Sequence, residues 1–191
     1  MELQQIELYK FDELEPEVQE KVLEKQREIN IDCGWWDFSI DDIKIELREK
    51  YGIEVKDIYF EFYRSRYLQI SKPDIIDLKK FLKEANVELL EDIDVSIEEE
   101  RESNYVRVRD EKYYENYDEI DLESDVKEIV IEEREEKIEI IEKELNVFLS
   151  NLLHTYLKRL EEEYSELMED KNIIETFECN DWKFLKDGRV I

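Results

Sequence analysis

The chain has 191 residues, 41% of them hydrophobic and 12% aromatic, so it can enclose a core and is not a disordered polymer. Its 55 acidic and 28 basic residues leave a net charge of −27. That balance argues against direct binding to nucleic acid or to an anionic membrane, both polyanions that attract basic patches, while leaving basic protein partners open.

Residues 1–15 carry Glu2, Glu7, Asp12, Glu13 and Glu15, with no apolar run long enough for a signal peptide or membrane span. A cytoplasmic protein is therefore expected. Over residues 5–11, Ile6 and Leu8 alternate with Tyr9 and Phe11, which reads as a short strand or extended arm. Pro16 suits a first helical turn, and Val18, Val22, Leu23 and Ile29 form an apolar stripe that ends near Asn30. Ser39 opens a second helix, with Asp42 three residues on, the stripe Ile40, Ile43, Leu47 and Tyr51, and Gly52 as a left-handed stop. Trp35, Trp36 and Phe38 precede it. They serve either as its core anchor or as a partner-facing hot spot.

From Asp57 the period changes to two, and aromatic and β-branched residues run to Ile70, as one long strand or a hairpin around Arg64-Ser65. Tyr59, Phe60, Phe62, Tyr63 and Tyr67, with Arg64 and Arg66, are expected to give sheet core plus one interaction face. Pro73 and Asp74 are predicted to start a third helix with the stripe Ile75, Leu78, Phe81, Leu82 and Ala85. Ile93, Val95 and Ile97, then Val106 and Val108, alternate with polar residues around a Glu-Ser-Asn turn. This predicts a hairpin with one solvated face.

The last third is helical: apolar residues from Ile138 to Leu167 recur every three or four positions, predicting a helix over about 136–168, some 50 Å long. Residues 172–180 suggest a short helix, and Trp182–Leu185 a final strand before an exposed turn at Gly188. The expected fold class is α+β: a single compact domain, a small antiparallel sheet packed with helices, and a long C-terminal helix. Its parts are an N-terminal helix and strand region (1–90), an acidic hairpin region (91–131), and the long helix with the C-terminal strand (132–191).

Charge is unevenly placed. Residues 88–145 hold 24 acidic and 8 basic side chains, a net of −16. Glu132, Glu136 and Glu139 lie along one helical edge, where like-charged neighbours cost a few tenths of a kcal/mol per pair. Such a run is either a solvated face or an imitation of a phosphate backbone, which presents negative charge at close, regular intervals.

Catalytic signatures are weak. Asp41 with Asp42, Asp92 with Asp94, and Asp118 with Asp121 could hold a divalent cation, but no Gly-containing calcium loop accompanies them, and capping or surface roles are preferred. The acids from Glu91 through Asp94 to Glu98–Glu100 are similar to part of a metal-dependent nuclease core, without the lysine such a site wants. His154, the single histidine, reads as a core or boundary residue of the long helix. Cys33 and Cys179 match no metal or redox spacing and are expected as free thiols. No Gly-rich phosphate loop or nucleophile elbow is present, so no enzyme, cofactor or metal is expected.

Several segments resemble a family of small phage and prophage proteins with no assigned activity. They are Glu7-Leu-Tyr-Lys-Phe-Asp-Glu-Leu14, Trp35-Trp36-Asp37-Phe38, Asp57-Ile-Tyr-Phe60, Leu160-Glu-Glu-Glu-Tyr164, Ile173-Ile-Glu-Thr176, Asn180-Asp-Trp-Lys-Phe184 and Asp187-Gly188. The resemblance covers both ends of the chain and fits the middle poorly. Where family members carry a Gly- and Gln-containing aromatic loop, this chain has Glu61-Phe-Tyr-Arg-Ser-Arg-Tyr67, and no catalytic residue carries over. The resemblance implies a phage accessory gene, a class that often acts on host defence or regulation.

The leading expectation is a non-enzymatic phage or mobile-element protein that binds and inhibits a basic host protein or nucleoprotein complex, such as a CRISPR defence complex. Glu98, Glu99, Glu100, Glu102, Glu132, Glu133, Glu135, Glu136, Glu139 and Glu142 would supply the negative surface. A second is a structural or regulatory module that homodimerises through the long helix, with Leu145, Phe148, Leu152 and Tyr156 partly exposed on the monomer. A third is a metal-dependent enzyme using the Asp92–Glu100 acids.

Overall fold

The computed structural model describes residues 6–31, 34–88, 93–109 and 124–191, with the side chains of its longest helix described from Glu132 onward. The fold is α+β. Among the described residues it comprises five α-helices and three two-stranded antiparallel sheets. It divides into two compact units, Met1–Asp37 with Leu160–Ile191, and Phe38–Arg159.

In the first unit the two ends of the sequence meet. The Tyr9 amide donates to the Phe184 carbonyl at 2.8 Å, and the Phe184 amide returns to Tyr9 at 2.9 Å. The expected strand at Trp182–Leu185 thus contracts to isolated bridges of Phe184 with Tyr9 and Val190. Helix α1 (Pro16–Lys25) opens on its proline as read, but stops five residues before Asn30. The residues beyond it make tertiary bonds instead. Asn30 Nδ2 donates to the Leu167 carbonyl at 3.1 Å, Thr176 donates to Asn30 Oδ1 at 2.7 Å, and Arg27 donates to the Met168 carbonyl at 3.0 Å. Leu167 and Met168 lie where a helix ends, so these side chains satisfy carbonyls that no further turn could reach. A final helix, Asp170–Cys179, packs Ile173 and Phe177 against Phe11, Leu14, Val22 and Phe184. Gly188, expected in an exposed turn, is half-buried: at φ +84°, an added Cβ would lie 2.7 Å from Val22 and 2.9 Å from Val18.

In the second unit α2 (Asp37–Tyr51) starts two residues before the expected Ser39, which is buried in its first turn. Gly52 ends it at φ +68°, as anticipated, and also receives a second segment. Its carbonyl accepts from the amides of Ile76 at 2.9 Å and Asp77 at 3.1 Å. That approach overturns the helix predicted from Pro73. Asp74–Ile75 instead form strand β4, paired with β1 (Ile53–Glu54), and α3 (Leu78–Ala85) starts only after Asp77 caps the Lys80 amide at 3.1 Å. A Cβ at Gly52 would fall 2.5 Å from the Asp77 carbonyl oxygen. Gly52→Ala should therefore lower stability by about 2–3 kcal/mol, combining backbone strain and the clash, seen as a fall in the calorimetric midpoint.

Strands β2 (Asp57–Glu61) and β3 (Tyr67–Ser71) form the hairpin form of the two alternatives, with residues 62–66 as its loop. Ile58, Leu68 and Ile70 are buried, while Tyr59 and Tyr63 are exposed. Strands β5 (Asp94–Glu100) and β6 (Ser103–Arg109) bury Val95, Ile97, Val106 and Val108 on one face. Their turn is Arg101–Glu102, so Asn104 belongs to the strand and not to the turn.

Two asparagine amides then extend this pairing. The Ile70 amide donates to Asn104 Oδ1, and Asn104 Nδ2 donates to the Ile70 carbonyl, both at 2.8 Å. On β6, the Val106 amide donates to Asn146 Oδ1 at 2.8 Å and Asn146 Nδ2 donates to the Val106 carbonyl at 2.9 Å. Each side-chain amide stands in for a missing strand residue, closing an edge that would otherwise be open.

Asn146 belongs to α4 (Ser124–Leu167), 44 residues and about 66 Å long. It begins twelve residues before the predicted start. Like charges at helical spacing disfavour an isolated helix over 124–135, but extending an existing helix needs no new nucleus. Ile141, Leu145, Leu149, Leu152 and Tyr156 are buried, and Phe148 packs its ring 5.7 Å from Phe81 and 5.9 Å from Tyr51. The Tyr156 hydroxyl is buried with no hydrogen-bond partner among the described residues. Burial first, and the nearby Glu46 carboxylate after it, push its ionisation far above the ordinary phenol range. Tyr156→Phe removes a buried hydroxyl whose desolvation offsets what it gains from the nearby Glu46 carboxylate, so its midpoint in urea unfolding should equal or exceed the parent's.

Candidate functional site

The buried stripe of α4 leaves its acids on the solvent side. Glu132, Glu133, Glu135, Glu136 and Glu139 are all exposed. Glu132, Glu136 and Glu139 recur at four and three residues, spanning about 10 Å of helix at 1.5 Å per residue. Glu132, Glu133, Glu136 and Glu139 form no ion pair with any described residue. Repulsion among them is tolerated because the buried residues from Ile141 onward secure the helix downstream.

The other expected acids divide. Glu142 is half-buried; its Oε2 accepts from the Val108 amide at 2.9 Å and its Oε1 lies 3.7 Å from Arg107. Glu98 accepts from the Tyr105 hydroxyl at 2.5 Å and from Arg109 at 2.8 Å, and Glu99 accepts from the Lys72 amide. These three carboxylates are hydrogen-bond acceptors that hold the β5–β6 hairpin in place. Those bonds take up acceptor sites that a partner would otherwise use, although Glu99 itself is exposed. Glu100 and Glu102 are exposed at the hairpin turn.

The two acidic groups do not form one surface. Strand β6 meets α4 with Val108 beside Glu142 and Val106 beside Asn146, and Glu102 and Ser103 share a groove with Ser150 and His154. The hairpin turn therefore lies alongside His154, and along α4 the run from Glu139 to His154 is about 22 Å. The stripe over residues 132–139 stands as the candidate site, and Glu100 and Glu102 lie apart from it.

His154, expected in the core or at its boundary, is exposed and lines that groove of about 200 Å³ with Arg66, Tyr67 and Glu102. Its neighbours Leu152 and Leu153 take the buried side of the helix, and the 3.6-residue period turns position 154 outward. Phe38 is likewise no core anchor, being 84% exposed, while Trp35 is half-buried against Tyr164 with ring centroids 5.6 Å apart. Sequence periodicity also gave no sign that Ile140 and Val147 are exposed on α4.

Of the four side chains that the homodimer reading needs partly exposed, Leu145, Leu152 and Tyr156 are buried within the chain's own second unit, and Phe148 is half-buried. Asp42 is paired with Arg159 at 3.5 Å, and Asp41 and Asp94 are exposed. Cys179 is an exposed free thiol. Cys33, Glu91, Asp92, Asp118 and Asp121 lie outside the described residues. Among the described residues no group of three or more His, Cys, Asp or Glu side chains is arranged to hold a metal ion, and no helix is long and apolar enough to cross a membrane.

No protein-family model, no curated protein and no solved structure matches the chain.

Proposed function

We propose that this chain is a non-enzymatic, cytoplasmic accessory protein of a phage or mobile element that binds a basic host protein across its nucleic-acid-binding surface and inhibits it. The carrying observation is the α4 stripe: Glu132, Glu133, Glu136 and Glu139 are exposed and without ion pairs among the described residues, on one continuous helix. A nucleic-acid groove is lined with Lys and Arg that gain by neutralising phosphates. A folded helix bearing carboxylates at intervals of about 5–6 Å competes for those same side chains without the entropy cost of ordering a flexible strand. The net charge of −27 adds long-range attraction, which speeds encounter and weakens as salt rises. The source in a phage or mobile element rests on the resemblance of the chain ends. Within that setting a nucleic-acid-guided defence complex, as in CRISPR immunity, is the partner class that best suits such a surface.

The test is capture from host lysate with the tagged full chain at low and high salt, followed by mass spectrometry. One basic nucleic-acid-binding protein, retained at low salt and released at high salt, is the expected result. Recovery of the bait alone contradicts the proposal for that host.

A further inference from the structure

We propose that a pocket built from the two ends of the chain receives an arginine side chain of a basic partner. It lies within the first unit and has a volume of about 250 Å³. Its floor is aromatic. Phe11 and Phe177 are buried beneath it, and Trp182 stacks on Phe177 with centroids 5.2 Å apart and planes at 24°. The paired hydrogen bonds between Tyr9 and Phe184 fix the two lining segments to each other, so the pocket is formed before anything enters it.

Its rim is charged, and the charges do not cancel. Lys183 Nζ sits 2.5 Å from Asp181 Oδ1, and this contact holds the Asp181 carboxyl below the usual carboxylate range. That pair is internally satisfied. Asp12 and Glu178 also line the pocket, are exposed, and form no ion pair with a described residue. Lys10 is the remaining charge, so the rim keeps an excess of one carboxylate.

An aromatic floor beneath unpaired carboxylates suits a guanidinium. It is planar, weakly hydrated, stacks on ring faces and donates to carboxylates through a fork. A lysine ammonium is compact and strongly hydrated, so it gains less from the indole. An anion would have to approach three carboxylates with one of the two ammonium groups already paired. The volume also falls below the range of about 300–1,000 Å³ typical of small-molecule pockets, which favours a single side chain. The source of the arginine, a basic nucleic-acid-binding protein, rests on the function proposed above; the pocket's preference can be measured without it.

The full chain, labelled at its tryptophan indoles, would be titrated with blocked tri-arginine, tri-lysine and inorganic phosphate while the Trp182 indole N–H signal is followed. Tri-arginine should give a saturable shift with affinity about fivefold tighter than tri-lysine, from the added stacking and fork contacts. The Asp12→Asn, Glu178→Gln double variant should weaken it about fivefold, whereas Glu132→Gln with Glu136→Gln, which removes equal charge from α4, should change it less than about twofold. Both pairs are exposed, and an unchanged remainder of the spectrum verifies the fold. Equal weakening by the two double variants, saturation by phosphate, or no Trp182 response would each overturn the proposal. A captured partner that needs the α4 acids but ignores the pocket variant would also overturn it, while leaving the proposed function standing.

Discussion

Reversal of Glu132, Glu136 and Glu139 to lysine should abolish capture of the basic partner while the protein stays folded. Three reversals swing the local charge by six units. Taking about 0.5–1 kcal/mol for each of the six charge units, the change reaches about 3–6 kcal/mol at low ionic strength, or roughly two to four orders of magnitude in affinity. The fold should not suffer, because none of the three carboxylates holds an ion pair with a described residue; the lysines at 132, 136 and 139 repel one another as the glutamates do, but each gains an acidic neighbour three or four residues away in Glu133, Glu135 or Glu142. Circular dichroism and the thermal midpoint should match the parent or rise slightly. The control is Glu17, Glu20 and Glu28 changed to lysine: these are exposed acids of the first unit that do not belong to α4, and the net charge change is the same. If the control abolishes binding equally, overall charge and not the α4 stripe is responsible.

The largest stability effect outside the apolar core is expected at Asn146. Its amide accepts from and donates to the same strand residue, Val106, and also donates to the Glu142 carbonyl at 2.8 Å. Val106 is fully buried. Asn146→Ala leaves the Val106 amide and carbonyl without partners, and an unmade buried hydrogen bond costs about 1–3 kcal/mol, so a loss of about 2–4 kcal/mol is expected in urea unfolding. Hydrogen exchange of the Val106 amide should accelerate more than that of Val108, whose acceptor, Glu142, remains. Asn146→Asp separates the two bonds: it keeps an acceptor for the amide but sets a carboxylate against the Val106 carbonyl. Its loss should exceed that of a single missing bond. A loss below about 1 kcal/mol in Asn146→Ala would mean that water replaces the amide readily.

These two predictions also mark what a sequence can reveal here. Alternation made the β5–β6 hairpin legible, because Val95, Ile97, Val106 and Val108 each contribute to one buried face. The core stripe of α4 and the stop at Gly52 were legible for similar local reasons. What escaped depends on long-range neighbours. Nothing around Asn104 or Asn146 distinguishes an amide that completes a strand from one that faces water. The β1–β4 pair exists because Gly52 lets Ile76 and Asp77 approach its carbonyl, an approach across some two dozen residues. The acids show the same limit: Glu98, Glu99 and Glu142 read like Glu132 and Glu136, yet the first three accept hydrogen bonds from the protein's own groups and the other two form no ion pair with a described residue. The pocket near Trp182 was beyond reach for the same reason, since Asp12 and Glu178 stand at opposite ends of the chain.

The central claim, that α4 takes the place of nucleic acid on a basic protein, is tested most directly by competition on the captured partner. The partner would be loaded with a fluorescent nucleic-acid fragment, and the full-length protein added at rising salt while anisotropy is read. The account predicts complete displacement of the fragment, displacement that weakens as salt rises, and no displacement by the Glu132, Glu136 and Glu139 triple reversal. A ternary complex, in which the protein binds while the nucleic acid stays in place, would contradict it.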